Sequence, residues 1–477
     1  MTAFAMDSRA VSPAPSATAL ARRKDLNGAV SWALIVLLAL APLPFGAAHA
    51  FSWGLFGTGL GVLALAYVAG LWRAGANPNI QVGEFKWVAY VFALYCAVLI
   101  LQMAPIGAVL PSLTAFSSQG LDFGPSAISI SINQTALMLL RHLSFGVLFF
   151  LVLQVSQNPA RRELLLKAIL AIVMAYCALG IVSLHTGDTI LGRPKIAHIG
   201  SATGPFLNRN SFATFLAMGA IIALVQAGRA LVRQATRHRH DGLVPGSYTS
   251  ALLYGTCYAV VVGTILATNS RMGILVTLAG SLTAALIVAT RLGRSFRGLA
   301  LIVVIALGAV GPAILLFGEA VIMRLINDEG SASGRLALYS LVLELISQRP
   351  WLGFGGGTFE QAAALIVQPP VPIDLRWEKA HSTYLSLWLE MGIIAGSLPV
   401  IVVALMGWRL VSALRPDHDD WSFAAIGLCT MIVVALHSVV DFSLEIEANT
   451  LIFITIAALA FGTTIGGRPR RPNTGAS

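Results

Sequence analysis

The sequence has little charge, few cysteines and none of the common motifs of soluble enzymes. Only 11% of its 477 residues are charged, whereas soluble globular proteins have about 25%. Its four cysteines lie in apolar runs and form no CxxC pair, which argues against a disulfide framework and a structural zinc site. P-loop, GxSxG and HExxH motifs are also absent. Together, these absences argue against a cytosolic enzyme and against a secreted domain.

Apolar residues make up 57% of the chain, and its mean hydropathy is +0.79. A soluble domain cannot bury this much apolar surface, whereas a bilayer solvates helices of about 20 apolar residues. The sequence therefore predicts an all-α polytopic membrane protein with about twelve transmembrane helices. The predicted spans are residues 30–45, 51–72, 85–104, 135–155, 164–184, 206–227, 250–268, 272–290, 299–318, 384–408, 423–440 and 450–465.

Lys and Arg are unevenly distributed between the two sides of these spans. Every connection on the side of the N-terminus carries Lys or Arg, whereas the connections after spans 1, 3 and 11 carry none. The positive-inside rule therefore places both termini in the cytoplasm, and the net charge of +10 needs no nucleic-acid partner. The sequence AHA at residues 48–50 resembles a signal-peptidase site, but the lead-in is long for a signal peptide, which favours an uncleaved first helix.

The longest outside connection follows span 9. Apolar residues recur at helical spacing from Leu336 to Ile346, which predicts a short amphipathic helix within it. An alternating segment at 127–132 suits a short strand or an interfacial segment. The predicted division is a disordered cytoplasmic tail (1–29), transmembrane helices 1–9 (30–318), a periplasmic loop (319–380), transmembrane helices 10–12 (381–466) and a cytoplasmic tail (467–477).

Two outside arginines are informative because the orientation rule does not explain them. Arg209 lies in the sequence NRN, at the outer end of span 6, between Asn208 and Asn210. Arg271 lies in the sequence NSR, in the tight turn between spans 7 and 8. The planar guanidinium binds phosphate oxygens through a fork of donors, so the two arginines are candidates for an anion clamp. Capping of helix ends or binding of lipid headgroups is the alternative.

His381 stands where the long loop enters span 10, on the same side as both arginines. Histidine is the usual general base at neutral pH, although an interfacial histidine without a catalytic role would fit the same position. The outside carboxylates lack DxD spacing, so no metal and no cofactor are predicted.

Further ionisable residues fall within or beside the spans. His437 and Asp441 are four residues apart and are predicted to share a helical face, as a structural pair or with Asp441 as the partner of an arginine. Arg141 and His142 lie inside span 4, where such residues are either functional or paired within the bundle.

The segment 380–396, with AHSTYL at its start and EMGIIAG at its end, resembles the signature of the O-antigen ligase and polymerase superfamily. The stretches 204–213, 269–273 and 334–355 agree with the same pattern. The sequence HSVVDFSL at 437–444 resembles the exopolysaccharide-polymerase branch. The resemblance covers about residues 200–460 and rests on the order of these motifs as well as on each of them.

This resemblance implies a bacterial inner-membrane glycosyltransferase that uses an undecaprenyl-diphosphate-linked oligosaccharide on the periplasmic side. In the family, arginines hold the donor diphosphate and a loop histidine activates the acceptor hydroxyl. The motifs place these roles on Arg209, Arg271 and His381. The sequence SATGPF precedes NRN where related sequences often have RATGTF. The first diphosphate ligand is therefore Arg209, unless Arg193 or Lys195 takes that role.

The resulting hypothesis is a metal-independent, inverting transferase, with Arg335 as a third cation for the diphosphate. The acceptor is another lipid-linked repeat or lipid A–core, and the Asp441 segment tilts the prediction towards polymerisation. Membrane lipid, a flippase and a chain-length regulator are the further expected partners. A transporter or flippase of lipid-linked glycans is the alternative, and a non-catalytic assembly subunit is a third.

Overall fold

A computed structural model describes residues 17–118, 120–241, 246–292, 329–366, 371, 377–415, 418 and 420–465. This part of the chain is predominantly helical, as the apolar runs predict. The helices are α1 (Ala17–Leu40), α2 (Ala50–Ala74), α3 (Lys86–Met103), α4 (Ile132–Ser156), α5 (Pro159–His185), α6 (Arg209–Asp241), α7 (Gly246–Ala267), α8 (Arg271–Arg291), α9 (Glu329–Gln348), α10 (Phe359–Ala364), α11 (Thr383–Ala413), α12 (Trp421–His437) and α13 (Glu447–Phe461).

Within the described residues, eight helices are long and apolar enough to cross a membrane. They coincide with predicted spans 2 to 8 and with span 10, so the chain is a multi-pass membrane protein. The shorter apolar helices α12 and α13 coincide with spans 11 and 12, and α1 overlaps span 1. The predicted span at 299–318 lies outside the described residues, so the count of twelve stays a prediction.

Two boundaries differ from those predicted. α1 begins at Ala17, so residues 17–29, which were expected in a disordered tail, are helical. Alanine, leucine, arginine and lysine all favour helix, and they continue the apolar helix into a charged end. α12 ends at His437, so Asp441 does not share a helical face with it. The chain turns there because the carbonyl oxygens of Ser438 and Asp441 accept hydrogen bonds from the backbone N–H of Thr383.

Strands are few in the described part of the chain. β1 (Phe116–Ser118) pairs with β2 (Leu121–Phe123), and β3 (Thr189–Ile190) pairs with β4 (Arg193–Pro194), both antiparallel. The alternating segment at 127–132 is not a strand: it forms bends that lead into α4.

The core of the bundle is centred on α6, which is almost fully buried and packs against α7, α8 and α12. A buried ion pair joins α4 to α13, with Arg141 Nε 2.6 Å from Glu447 Oε2. The Arg141 guanidinium also lies 4.4 Å from the ring centroid of Trp53. Arg141 is therefore paired within the bundle, which is one of the two alternatives predicted for it.

The predicted amphipathic helix corresponds to α9. Its apolar side chains Leu338, Val342 and Leu345 are fully buried, in a cluster that includes Phe354 and Leu389. α9 is thereby packed against the start of α11.

α11 is interrupted at Gly392, whose backbone has φ 76° and ψ 164°. The carbonyl oxygens of Leu389 and Glu390, which the break leaves without helical partners, each accept a 2.9 Å hydrogen bond, from the N–H groups of Phe354 and Gly355 respectively. The glycine-rich segment 353–357 thus fills the break and ties the loop region to α11.

Replacing Gly392 with Ala should destabilise the protein by about 1–3 kcal/mol, because this backbone region is essentially restricted to glycine. An added Cβ would also lie 2.3 Å from the Trp351 carbonyl oxygen. The measurement is the thermal unfolding midpoint in detergent. Gly59→Ala in α2 is the matched control, since a Cβ there meets no atom within 4 Å; equal midpoints for the two variants would contradict the prediction.

Candidate functional site

Four segments that are far apart in sequence meet where α6, α8 and α11 begin and α12 ends. They are residues 208–210, 269–271, 380–383 and 438–443, and we call their meeting point the polar junction. It contains all three motifs from which the diphosphate and histidine roles were predicted.

Asn210 is the centre of this junction. Its Nδ2 donates a 3.1 Å hydrogen bond to Asp441 Oδ1, and its Oδ1 accepts a 2.9 Å hydrogen bond from Ser270 Oγ. Asn208 in turn accepts a 2.8 Å hydrogen bond from the Asn210 backbone N–H through its side chain. One amide therefore links the NRN motif to the NSR motif and to the segment after α12.

The histidine segment is held by the same part of the junction. Thr383 donates its backbone N–H to Ser438 O (3.0 Å) and its hydroxyl to Asp441 O (3.2 Å). From α9, the Tyr339 hydroxyl donates a 2.8 Å hydrogen bond to the His381 carbonyl oxygen. His381 itself has a φ of 54°, which is uncommon for a residue other than glycine and is maintained by these contacts.

Three helix N-termini converge on the junction. α6 begins at Arg209, and α8 begins at Arg271 after Ser270, whose Oγ accepts a hydrogen bond from Gly273 N–H. α11 begins at Thr383 after Ser382, which caps it through Leu385 N–H. Free N–H groups and the helix dipole make such ends favourable for anions. The fold therefore adds three partial positive charges to the two arginines.

Three buried polar atoms in the junction have no hydrogen-bond partner in the described part of the chain. They are Arg209 Nε, at the start of α6, Asn269 Oδ1 and His381 Nδ1. Buried donors and acceptors in native proteins are nearly always paired, so each of these atoms calls for an explanation. A bound ligand that accepts a hydrogen bond from the guanidinium and donates one to the imidazole would satisfy Arg209 Nε and His381 Nδ1.

The surroundings of His381 keep its imidazole uncharged. Phe442 and Trp377 pack edge-to-face against the ring, with centroids 5.1 Å and 5.9 Å away. Burial, together with the nearby charge of Arg335, lowers the pKa of His381 to about 4, and the charges of Asp441 and Glu445 oppose this shift only in part. At neutral pH the imidazole is neutral and can accept a proton.

The remaining predicted residues have different positions. Arg193 is exposed on β4 and makes no hydrogen bond or ion pair to the described part of the junction. Lys195 is buried, pairs with Asp188 and donates a 2.7 Å hydrogen bond to Ser201 O. His437 is buried at the end of α12 and shares a hydrogen bond with Thr214 of α6. Of the alternatives for the first cation, Arg209 is the one that lies in the junction.

Two contacts beside His381 were missed by the sequence analysis. The sequence pattern around Tyr339 predicts only an apolar helix. It gives no indication that Tyr339 contacts residue 381. Lys379 forms an ion pair with Glu445, with a separation of 3.0 Å between Nζ and Oε2. The acidic residues that follow Asp441 in an otherwise apolar region were the available signal for Glu445.

Residues 256–400 match a family model described as O-antigen ligase. The matched region contains Arg271, Arg335 and His381, and it excludes Arg209 and Asp441, which the structure brings to the same junction. No curated protein matches the sequence. The family match confirms the predicted resemblance to the O-antigen ligase and polymerase superfamily over residues 256–400 of this multi-pass membrane protein.

Proposed function

We propose that the protein is a bacterial inner-membrane glycosyltransferase that transfers an undecaprenyl-diphosphate-linked oligosaccharide to an acceptor sugar hydroxyl at the periplasmic face. The observation that carries the proposal is that two buried atoms of the polar junction, Arg209 Nε and His381 Nδ1, lack a hydrogen-bond partner among the described residues. A donor diphosphate beside an acceptor hydroxyl is a ligand pair that satisfies one cationic donor and one basic nitrogen.

In the proposed reaction, Arg209 and Arg271 bind the diphosphate, with Arg335 contributing from α9. As the bond between the anomeric carbon and the diphosphate oxygen breaks, negative charge builds up on the leaving group. The guanidinium groups and the N-termini of α6 and α8 stabilise the transition state, in which this charge develops, more strongly than they stabilise the ground state. This difference accelerates the reaction. These residues require no metal ion for this role.

His381 acts as the general base in this proposal. The acceptor hydroxyl transfers its proton to the neutral imidazole while its oxygen forms the new bond to the anomeric carbon. Undecaprenyl diphosphate leaves from the opposite face of the sugar, so the configuration at that carbon is inverted. Histidine bases typically contribute about 10²–10⁴-fold to the rate.

The acceptor is the part of the proposal that the junction does not specify. Polymerisation uses a second lipid-linked repeat, and ligation uses lipid A–core; the segment around Asp441 favours polymerisation. The test is transfer by the purified protein in nanodiscs, supplied with the lipid-linked oligosaccharide and one acceptor at a time. Product with either acceptor supports a transferase, whereas no product with both, in folded protein, contradicts it. A flippase that delivers the donor and a chain-length regulator are the proposed partners.

The pH dependence of transfer should follow from the lowered pKa of His381. Transfer needs the neutral imidazole, so activity should persist below pH 6.5 and fall only towards pH 4. Removing the nearby positive charge with Arg335→Gln should raise this pKa. The acid limb of the pH profile, which is the fall in activity at low pH, should then move to higher pH. Arg73→Gln, at the exposed end of α2, is the control and should leave the limb in place. An identical limb in wild type and Arg335→Gln would contradict the assignment.

The transporter alternative predicts broken helices around a central substrate site. α11 is broken at Gly392, but the backbone of segment 353–357 occupies the break. In addition, the Glu390 carboxylate accepts hydrogen bonds from the N–H groups of Gly357 (2.9 Å) and Phe359 (3.2 Å). The break therefore favours an internal structural role over a transport site.

A further inference from the structure

An open groove of about 420 Å³ lies in the segment that precedes α4, within residues 125–133. Its volume is within the range of ~300–1,000 Å³ that is typical of small-molecule sites. None of its lining side chains carries a charge. It differs in this respect from the polar junction, which contains Arg209 and Arg271.

The groove presents hydrogen-bonding groups that the protein itself leaves unused. The side chains of Ser126, Ser131 and Asn133 line it and make no hydrogen bond to another described residue. Ser131 stands at the N-cap position of α4 but does not cap the helix through its hydroxyl. Beside them are the apolar side chains of Ile130 and Ile132, the latter 46% exposed. Free hydroxyl and amide groups beside an apolar wall match the hydroxyl edge and apolar face of a sugar ring.

The groove is rigidly held. Ser129 N–H donates to Gln102 O (2.9 Å), and Ile130 N–H donates to Phe354 O (2.9 Å). The buried Arg349 also donates a hydrogen bond from Nη2 to Ile128 O (2.9 Å). A preformed wall lowers the ordering cost of binding.

The same contacts connect the groove to the polar junction. Phe354 accepts from Ile130 and donates to Leu389 O in α11. Leu389 is one to two turns from Thr383, a helix rise of about 9 Å. The groove thus lies within the reach of a short oligosaccharide whose diphosphate is in the junction.

We infer that this groove is a saccharide subsite, which binds neutral sugar residues of the glycan while the junction holds the diphosphate. The inference rests on the proposed function and adds a second contact region for the same substrate. It assigns Ser131 and Asn133 to glycan binding, remote from the atoms that react.

Cysteine protection tests this inference without relying on transfer. Ser131→Cys is introduced into a His381→Ala chain and labelled with a water-soluble maleimide in native membranes. Membranes from cells that make the lipid-linked glycan are compared with membranes from cells that cannot. We expect the glycan to slow labelling by about threefold or more, in proportion to its occupancy. Thr186→Cys in the same His381→Ala background, exposed beyond α5, is the control and should label equally in both.

A third variant, His381→Cys, separates the two proposals. Protection at residue 381 without protection at 131 overturns the groove and leaves the proposed function intact. Protection at neither position overturns both, and protection at both positions supports both. Ser131→Trp, which fills the groove, should in addition reduce transfer while protein levels stay unchanged.

Discussion

Replacing His381 with Ala should reduce glycan transfer by about 10²–10⁴-fold, the contribution of a general base. The protein should still fold, because the contacts that hold residue 381 are made by its backbone: Tyr339 donates to its carbonyl oxygen, and Thr383 anchors the following turn. The measurement is the amount and length of surface glycan in cells, followed by the rate of transfer by purified protein.

The matched control for this variant is His185→Ala. His185 is exposed at the end of α5 and lies outside the polar junction, so its replacement should leave transfer unchanged. Glycan of normal amount and length in the His381→Ala strain, with normal protein levels in the membrane, would show that the imidazole is not the base.

Replacing Arg271 with Lys should reduce transfer by about 10–100-fold. Lysine keeps the positive charge but loses the planar fork of donors, and a hydrogen bond to a charged group is worth about 1.5–3 kcal/mol. The helix start should remain intact, because Ser270 rather than Arg271 caps α8. The rate of transfer at saturating acceptor, measured against donor concentration, tests this expectation.

Arg73→Lys provides the control for a surface arginine, since Arg73 is exposed in the last turn of α2. Full activity of both variants would assign Arg271 to binding lipid headgroups, for which a point charge is sufficient. Loss of activity in Arg271→Lys alone would support recognition of the diphosphate by a guanidinium.

The helices were predictable because the bilayer fixes their length and their apolar content. α4 and α8 lie within a few residues of the predicted spans for this reason. The break in α11 was not predictable, because apolar residues continue on both sides of Gly392 and only the approach of the Trp351 backbone shows why glycine is required there.

Candidate site residues could be named from the sequence, but the contacts between their segments could not. Motifs placed Arg209, Arg271 and His381 on one side, yet the Asn210 amide, which bonds to Ser270 and Asp441, acts across intervals of sixty and more residues. No local pattern encodes such contacts. Asp441 was expected on a helical face with His437, but it reaches Asn210 from the turn after α12, because α12 ends earlier than its apolar run.

The most direct test of the account is an experimental structure of the protein in a nanodisc with bound undecaprenyl diphosphate. The account predicts both phosphates in the polar junction, in contact with the guanidinium groups of Arg209 and Arg271 at the starts of α6 and α8, and the His381 imidazole on the side from which the acceptor sugar arrives. Diphosphate bound elsewhere, with the two arginines directed at lipid headgroups and His381 remote from the ligand, would contradict it.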